Sequence, residues 1–599
     1  MASEQKQSAD TDIAVHHHEH PNFHGPTEDK LDPHIRDDHG DPHRAALEDI
    51  DASTTVTKST YAAVFFLGFT FQPSLSFAFY CALPLIVPMS EALQGNTNHS
   101  NWIASGWSLA GSVAFAIAGQ LSDYFGRRYI LMFGQVLLII GHIIAATANS
   151  LNQAIAGMVI IGFGTGSTFV LYPGISELLP NRYRSIGLAW TELNLLPFAT
   201  FGPLIARTLT ANASWRWVYI LGAITGVISV VGTAVFYHPP SHPLIEISRR
   251  QLIAEVDYLG IVLYSVGIAL FLIGLNWGGL DYPWVSAAVL VPLILGILIF
   301  ASAFVWDFSG RPKRPLFPAR LIKRYREYLS LLIFIFVVGM VYFSMGTLLP
   351  QQIAYMYTSD PIKAGLYNIP GGFAGAGGGV FLGGLIAKMK RVQWQLFTGV
   401  VLQTVCVALY GILTPDRLAA AIVLQFFANL PFAWITLACY IIAGLNVPQR
   451  DLGLALGLVG TFRFLGGAVG TTIFASILAN RAATTTVQRT IEAVLPLGFP
   501  RDQVPALMAA VASGKASLLS NYSATIIKAA QVALQWGYSD AFRVMWLATI
   551  PFGVIASCIA LWVPDVSPYF TQHTAVTLEK NRLGEAQQSE EEKVVSEEA

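Results

Sequence analysis

Glu192, Arg463 and His142 each stand inside a long apolar stretch of the sequence. An ionisable group at such depth is expensive unless paired or wet, so each is a candidate for moving a proton or gripping a polar ligand. Glu192, in WTELNLLPF, lies a turn or two inside its stretch and can carry a proton, hold a neighbouring helix or snorkel to the near surface. Arg463 lies about 18 Å along its stretch at 1.5 Å per helical residue, too deep to reach water along a lipid-facing surface, and should face the protein interior. A substrate, a carboxylate and backbone carbonyls all fit as its partner, with a structural pair the expected one; Gly466, Gly467 and Gly470 beside it admit another helix backbone at close range. His142 is expected to be a hydrogen-bonded packing residue before a proton relay. Glu177, nearer the end of its stretch, is expected to pair with Arg182 or Arg184. Trp107, Trp190, Phe198 and Phe462 are candidates to line an apolar cavity.

A second constellation, GQLSDYFGRRYIL at 119–131, puts an aspartate and two arginines in a turn between apolar runs. Gly119 and Gly126 permit close backbone approach and a tight reversal. Asp123 is placed to accept hydrogen bonds from a neighbouring helix start or an arginine, and Arg127 and Arg128 suit anchors at a membrane surface. The glycine clusters GFGTG (162–166) and GGFAGAGGG (371–379) neither follow a strand nor end in GK[ST], so they read as helix-packing surfaces rather than phosphate loops. Without an ATP site, any transport must run on a gradient. No set of nucleophile, base and metal ligands faces water, so an enzyme is not expected, nor a cofactor.

The elements that hold these residues are set by lipid. Of 599 residues 53% are hydrophobic and 12% charged, a composition that a soluble domain cannot hide from water. A bilayer core about 30 Å thick needs about 20 apolar helical residues. Such runs fall at 61–89, 102–121, 129–148, 152–173, 186–209, 216–236, 258–276, 284–306, 329–349, 364–387, 395–413, 418–445, 452–478 and 542–563. The expectation is an all-α polytopic membrane protein of 14 transmembrane helices, with both tails on one side. Between 479 and 541 lies a long outer loop, in which VPALMAAVASG and YSATIIKAAQVALQWG have helical spacing and are expected to lie along the membrane surface.

Residues 1–58 hold 13 acids and 5 bases, and 565–599 hold 8 and 3, leaving 28 bases against 16 acids in the apolar body. The tails are expected to be cytosolic, the first one disordered; its eight histidines, HHHEH (16–20) among them, supply metal ligands without a geometry, so no metal site is expected. No cleavable signal peptide is expected before the first apolar stretch. With the N-terminus inside, the inner loops carry 17 Lys and Arg and the short outer loops four, the asymmetry that orients membrane proteins. The N-x-S/T patterns at Asn98, Asn212 and Asn521 all fall in loops placed outside by this rule, which makes them candidate glycosylation sites. The formal net charge of −1 gives no argument for nucleic acid, and Cys81, Cys406, Cys439 and Cys558 lack disulfide or zinc spacing.

The spacing G-x-L-x-D-x-x-G-R-R at 119–128 resembles the loop 2–3 signature of the major facilitator superfamily. ALP (82–84), WRWVYI (215–220), DYLG (257–260), NWGGLDYPW (276–284), LPQQ (349–352), AGLYNIP (364–370) and RFLGGAVG (463–470) resemble strings of its fourteen-helix drug:proton antiporter branch, over residues 60–565. Within that branch GISELLPNRYRSIGLAW, FGPLIARTL and WRW are most similar to the fungal trichothecene efflux pump family, with siderophore transporters as near relatives.

The resemblance implies a major facilitator fold arranged as 6 + 2 + 6: an N-terminal six-helix domain (59–237), a two-helix insert with a basic cytosolic linker (238–328) and a C-terminal six-helix domain (329–564), with substrate between the domains. It implies that Gly119, Asp123, Gly126, Arg127 and Arg128 latch the two halves together on the cytosolic side. Gly202 and Pro203 resemble the core of the antiporter motif, although Phe198 and Ala206 stand where that motif carries glycine. The helix 4 arginine and helix 1 aspartate of related proton antiporters fall at Met158 and Leu75. The implied function is export of an amphipathic toxin, drug or secondary metabolite by proton antiport, from a monomer in the plasma or a vacuolar membrane. Siderophore-iron uptake is the alternative, and a transporter-like nutrient sensor a further one, which these short tails do not favour.

Overall fold

In lipid a backbone must satisfy its own hydrogen bonds, and the apolar runs do so as helices. The computed structural model describes residues 57–93, 102–239, 249–278, 282–358, 360–448, 451–513 and 522–571. Among these there is no strand, only isolated bridges such as Val256 to Arg314. In chain order the longer α-helices are α1 (Lys58–Phe69), α2 (Trp102–Phe125), α3 (Arg127–Ala146), α4 (Leu151–Thr168), α5 (Arg184–Asn212), α6 (Arg216–Phe236), α7 (Tyr258–Trp277), α8 (Ala287–Phe308) and α9 (Ser330–Met356). They continue as α10 (Pro361–Gly377), α11 (Val392–Tyr410), α12 (Leu418–Asn429), α13 (Pro431–Asn446), α14 (Leu452–Val494), α15 (Val504–Ser513), α16 (Ala524–Leu547) and α17 (Ile550–Trp562). Polar caps mark several starts: Ser150, Asp257 and Asp360 accept from backbone N–H groups in the first turns of α4, α7 and α10.

Thirteen described segments are long and apolar enough to cross a membrane, against the fourteen expected. The difference is α5, which at 29 residues is long enough but carries Thr191, Glu192, Asn194 and Thr200 on its buried face. Its polarity is spent against other helices, where it costs less than in lipid. Three described segments are wound as π-helix: Gln72–Cys81, following α1, Tyr325–Leu329, preceding α9, and Gly378–Leu382, following α10. The first and last lie beside the central cavity, and this winding appears most often at functional sites.

The expected outer loop is not a loop. At 43 residues α14 is about 64 Å long, roughly twice the bilayer core, so its second half projects beyond the membrane. There α16 packs back along it: Thr485 donates to the Gly537 carbonyl at 2.8 Å and Arg489 pairs with Asp540 at 2.8 Å. The 504–513 and 524–541 segments, expected along the membrane surface, are helical and pack on α14 and on each other: Val494, Phe499, Val504, Leu507 and Ala530 bury their apolar faces in a small core of their own.

The α7–α8 hairpin sits on the seam between α2 and α14. The Tyr264 hydroxyl donates to the Ser112 carbonyl of α2 at 3.1 Å and lies 3.2 Å from the Thr461 hydroxyl of α14. The crossing of α2 over α14 positions everything below. A Cβ added at Gly119 would stand 3.0 Å from the Gly453 carbonyl carbon and 3.3 Å from the Gly457 Cα, backbone atoms that cannot turn away. Gly119→Val is therefore expected to part the two helices and to raise about fivefold the maleimide labelling of a cysteine placed at buried Leu456, in a background with the natural cysteines replaced. Unchanged labelling would show that the crossing yields without opening.

Candidate functional site

Two polar constellations occupy the bundle, one at the end that carries the basic loops and one at mid-depth. At the basic end Gly126, with φ of 90°, reverses the chain between α2 and α3 and brings Arg127 back over Asp123. Asp123, 1% exposed, accepts from the Gly453 N–H at 2.9 Å and the Leu454 N–H at 2.8 Å, so a carboxylate at the end of α2 caps the first turn of α14. Arg127 pairs with Asp123 and with Glu177, the latter at 2.6 Å, and donates to the Ser122 hydroxyl at 2.8 Å. Arg128 donates to the Ala234 carbonyl of α6 at 2.8 Å.

The expected pairing of Glu177 with Arg182 or Arg184 is corrected by this geometry: the start of α3 lies against the Leu171–Leu178 helix, so Arg127 takes the carboxylate. Arg184 donates to the Gly444 carbonyl at 3.4 Å, and Arg182 covers its own neighbour Tyr183. A second tie crosses the same end, where the Arg182 N–H donates to the Thr571 carbonyl at 3.1 Å and the Asp565 carboxylate accepts from the Val392 N–H at 2.9 Å. Nearby, Arg314 with Lys313 holds the Glu255 carboxyl below its ordinary range.

At mid-depth lies a cavity of about 50 Å³. Residues before 237 contribute Phe71, Leu75, Phe79, Tyr80, Trp107, Phe169, Tyr172 and Glu192; those after 329 contribute Tyr342, Phe343, Phe432, Arg463 and Phe464. Tyr172 stacks on Tyr440 at 4.3 Å between ring centroids. Glu192 and Arg463 are 7% and 6% exposed, and no ion pair within 4.0 Å joins them. The Glu192 carboxyl lies within electrostatic reach of Arg463 and beside the Tyr172 hydroxyl. Across from it is the π-helical turn after α10, where a Cβ added at Gly379 would stand 2.6 Å from Glu192 Cγ. The methylene of Glu192 thus packs on backbone, while its carboxyl has the Tyr172 hydroxyl beside it and no cation within ion-pair distance.

The structural pair expected for Arg463 is not there. Its guanidinium stands over the Phe169, Phe432 and Phe464 rings instead. His142 is fully buried away from the cavity, its Nδ1 2.8 Å from the Leu138 carbonyl. Of the four aromatics chosen from sequence, Trp107 lines the cavity and three do not. Trp190 donates its indole N–H to the Phe65 carbonyl, Phe198 packs on Phe77 at 5.0 Å, and Phe462 is two residues from Phe464, hence about 200° around α14. Sequence reasoning missed Tyr80, Tyr172 and Tyr342; the π-helical winding that presents Tyr80 leaves no periodic signal.

Leu75 lines the cavity and Met158 packs under the Tyr219 hydroxyl at 3.7 Å. On the far side of Glu192, α5 closes against α10, where a Cβ added at Gly372 would stand 2.9 Å from the Ala199 carbonyl carbon. Gly202 lies against α1's continuation, 2.8 Å from the Tyr80 carbonyl by the same test, with Pro203 inside α5. Asn212 is exposed at the end of α5; Asn98, Asn521 and the tails at 1–56 and 572–599 lie outside the described residues.

Comparison with known proteins gives one family match, described as fungal trichothecene efflux pump, over residues 57–592. The chain is 32% identical to the MFS-type transporter prx5 of Penicillium rubens, over 77% of this chain and 86% of that one. It is 26% identical to the trichothecene efflux pump TRI12 of Fusarium sporotrichioides, over 80% and 82%. Among solved structures it resembles the human organic anion transporter MFSD10 with a TM-score of 0.51 at 14% identity, over 82% and 100%, a likeness of fold.

Proposed function

We propose, for a chain that belongs to the fungal trichothecene efflux pump family of major facilitator transporters, that it exports amphipathic toxins or secondary metabolites in exchange for protons. The chain is a multi-pass membrane protein that moves small molecules and is not an enzyme. The observation that carries the finer reading is the cavity, to which α5 contributes a carboxyl and α14 a guanidinium, sealed at the basic end by Asp123 on α14 and beyond Glu192 by α5 on α10. A cavity of about 50 Å³ holds a water or two, so a ligand of drug size requires the two halves, 59–237 and 329–564, to part. Rocking of those halves beside the 238–328 insert would open the cavity to each side in turn.

In this reading the basic end faces the cytosol of a cell whose plasma membrane holds the protein as a monomer. Glu192 exchanges its proton with whichever side the cavity faces. The test is uptake into inside-out proteoliposomes of a radiolabelled trichothecene and of a ferric siderophore, with and without an imposed pH gradient. One proton exchanged per substrate sustains about tenfold accumulation per pH unit. Accumulation of the toxin only with the gradient is the expected outcome; accumulation of the chelate alone would replace export of toxins by iron transport.

A further inference from the structure

We infer that Arg463 is the binding group for the oxyanion of an amphipathic, ring-containing organic acid, a reading that rests on the efflux function proposed above and names its substrate class. The guanidinium is buried in the wall of the central cavity, and its Nε has no hydrogen-bond partner. No other described group forms an ion pair with it within 4.0 Å. Arg184 also has an unpartnered Nε, but the other buried arginines are anchored through their terminal nitrogens, Arg127 by two carboxylates and Arg184 by a backbone carbonyl, and neither lines the cavity.

The groups within electrostatic reach of Arg463 are Glu192, Tyr80, Tyr172, Tyr342, Tyr440 and Cys439. Glu192 is the one carboxyl among them, and it stands off. What does hold the cation is aromatic: the Phe464, Phe169 and Phe432 ring centroids lie 5.2, 5.7 and 5.8 Å from Cζ. Cation–π attraction offsets only part of the cost of taking a guanidinium out of water and leaves its N–H groups unused. A ligand oxyanion would supply both the missing charge and the missing acceptors, with bidentate geometry available.

The rest of the wall suits the remainder of such a molecule. Phenylalanine and tyrosine faces offer stacking for a ring system. The Trp107 indole N–H, also in the wall, is a second buried donor without a partner and suits a further ligand oxygen. A neutral compound of the same shape would gain the stacking and leave the guanidinium unpaired.

Two probes with the same ring skeleton separate these terms: 8-anilino-1-naphthalenesulfonate, a permanent anion, and N-phenyl-1-naphthylamine, its neutral counterpart. Saturation binding of each, radiolabelled, is measured on the purified full chain in lipid nanodiscs. The sulfonate is expected to bind about tenfold or more tighter than the neutral amine. Arg463→Gln should remove that advantage while changing the amine's affinity less than about threefold, and Arg463→Lys should retain most of it. Equal affinity of the unmodified protein for both probes would overturn the inference whether or not Arg463→Gln folds, and so would sulfonate binding that survives Arg463→Gln. The binding readout needs no transport: gradient-driven toxin export without an anion preference defeats this inference alone, whereas failure of all export with the anion preference intact defeats only the efflux reading.

Discussion

Arg127→Ala is expected to be the most damaging single change in the molecule, costing about 3–5 kcal/mol of stability, because it strands two buried carboxylates at once. Asp123 and Glu177 are 1% and 4% exposed and share this one guanidinium. The measurement is the thermal midpoint and monodispersity of the purified variant. Arg127→Lys should fall between, since an ammonium cannot reproduce the fork that reaches both carboxylates. Asp123→Asn separates folding from cycling: it keeps the shape and one acceptor oxygen but replaces the other by an amide that cannot accept from the Gly453 or Leu454 N–H. Hydrogen bonds to a charged group contribute about 1.5–3 kcal/mol, so losing one shifts the balance away from the state closed at the basic end by about 10- to 100-fold. Turnover should fall by a similar factor with KM within about twofold. A raised KM with normal turnover would mean that Asp123 serves binding rather than closure.

The same cluster shows what a sequence can and cannot display. A bilayer demands apolar runs of fixed length, so the helices were legible, as was the reversal at Gly126, where the residue types carry the geometry. Even α5, whose polar residues leave it outside the thirteen segments apolar enough to cross a membrane, was visible as the run 186–209. The partner of Glu177 was not legible, because proximity along the chain favoured Arg182 and Arg184 while the helix packing delivers Arg127. Trp190, Phe198 and Phe462 failed as cavity residues for a related reason. An aromatic residue type does not say which 100° step of a helix faces the cavity, and Phe464 rather than Phe462 is the one that does. The outer pair α14 and α16 was hidden because small, mixed-polarity residues such as Thr485, Thr486 and Gly537 make their contact, and hydropathy registers only the segment that lipid would accept.

The largest functional effect is expected at Glu192, where Glu192→Gln should abolish uphill export and spare exchange. The carboxyl is the one acid in the cavity wall; Leu75 stands there as a hydrocarbon, and His142 is locked against the Leu138 carbonyl elsewhere. Glutamine has nearly the shape of a protonated glutamate and cannot lose a proton, so the variant should load, rock and unload substrate without moving a proton. A pH difference of one unit supplies about 1.4 kcal/mol per proton, hence tenfold accumulation for one-to-one exchange. In Glu192→Gln proteoliposomes that ratio should fall to about one, while exchange of external labelled for internal unlabelled substrate stays within about threefold of the unmodified protein. Glu192→Asp keeps a titratable group but sets it back by one methylene, to the place where Glu192 Cγ now packs on Gly379, and it should restore accumulation at reduced rate. If Glu192→Gln still accumulates substrate about tenfold per pH unit, protons travel by another route and Glu192 is a packing residue. If exchange is lost as well, the carboxyl belongs to substrate binding, for its removal would then have stopped the step that needs no proton.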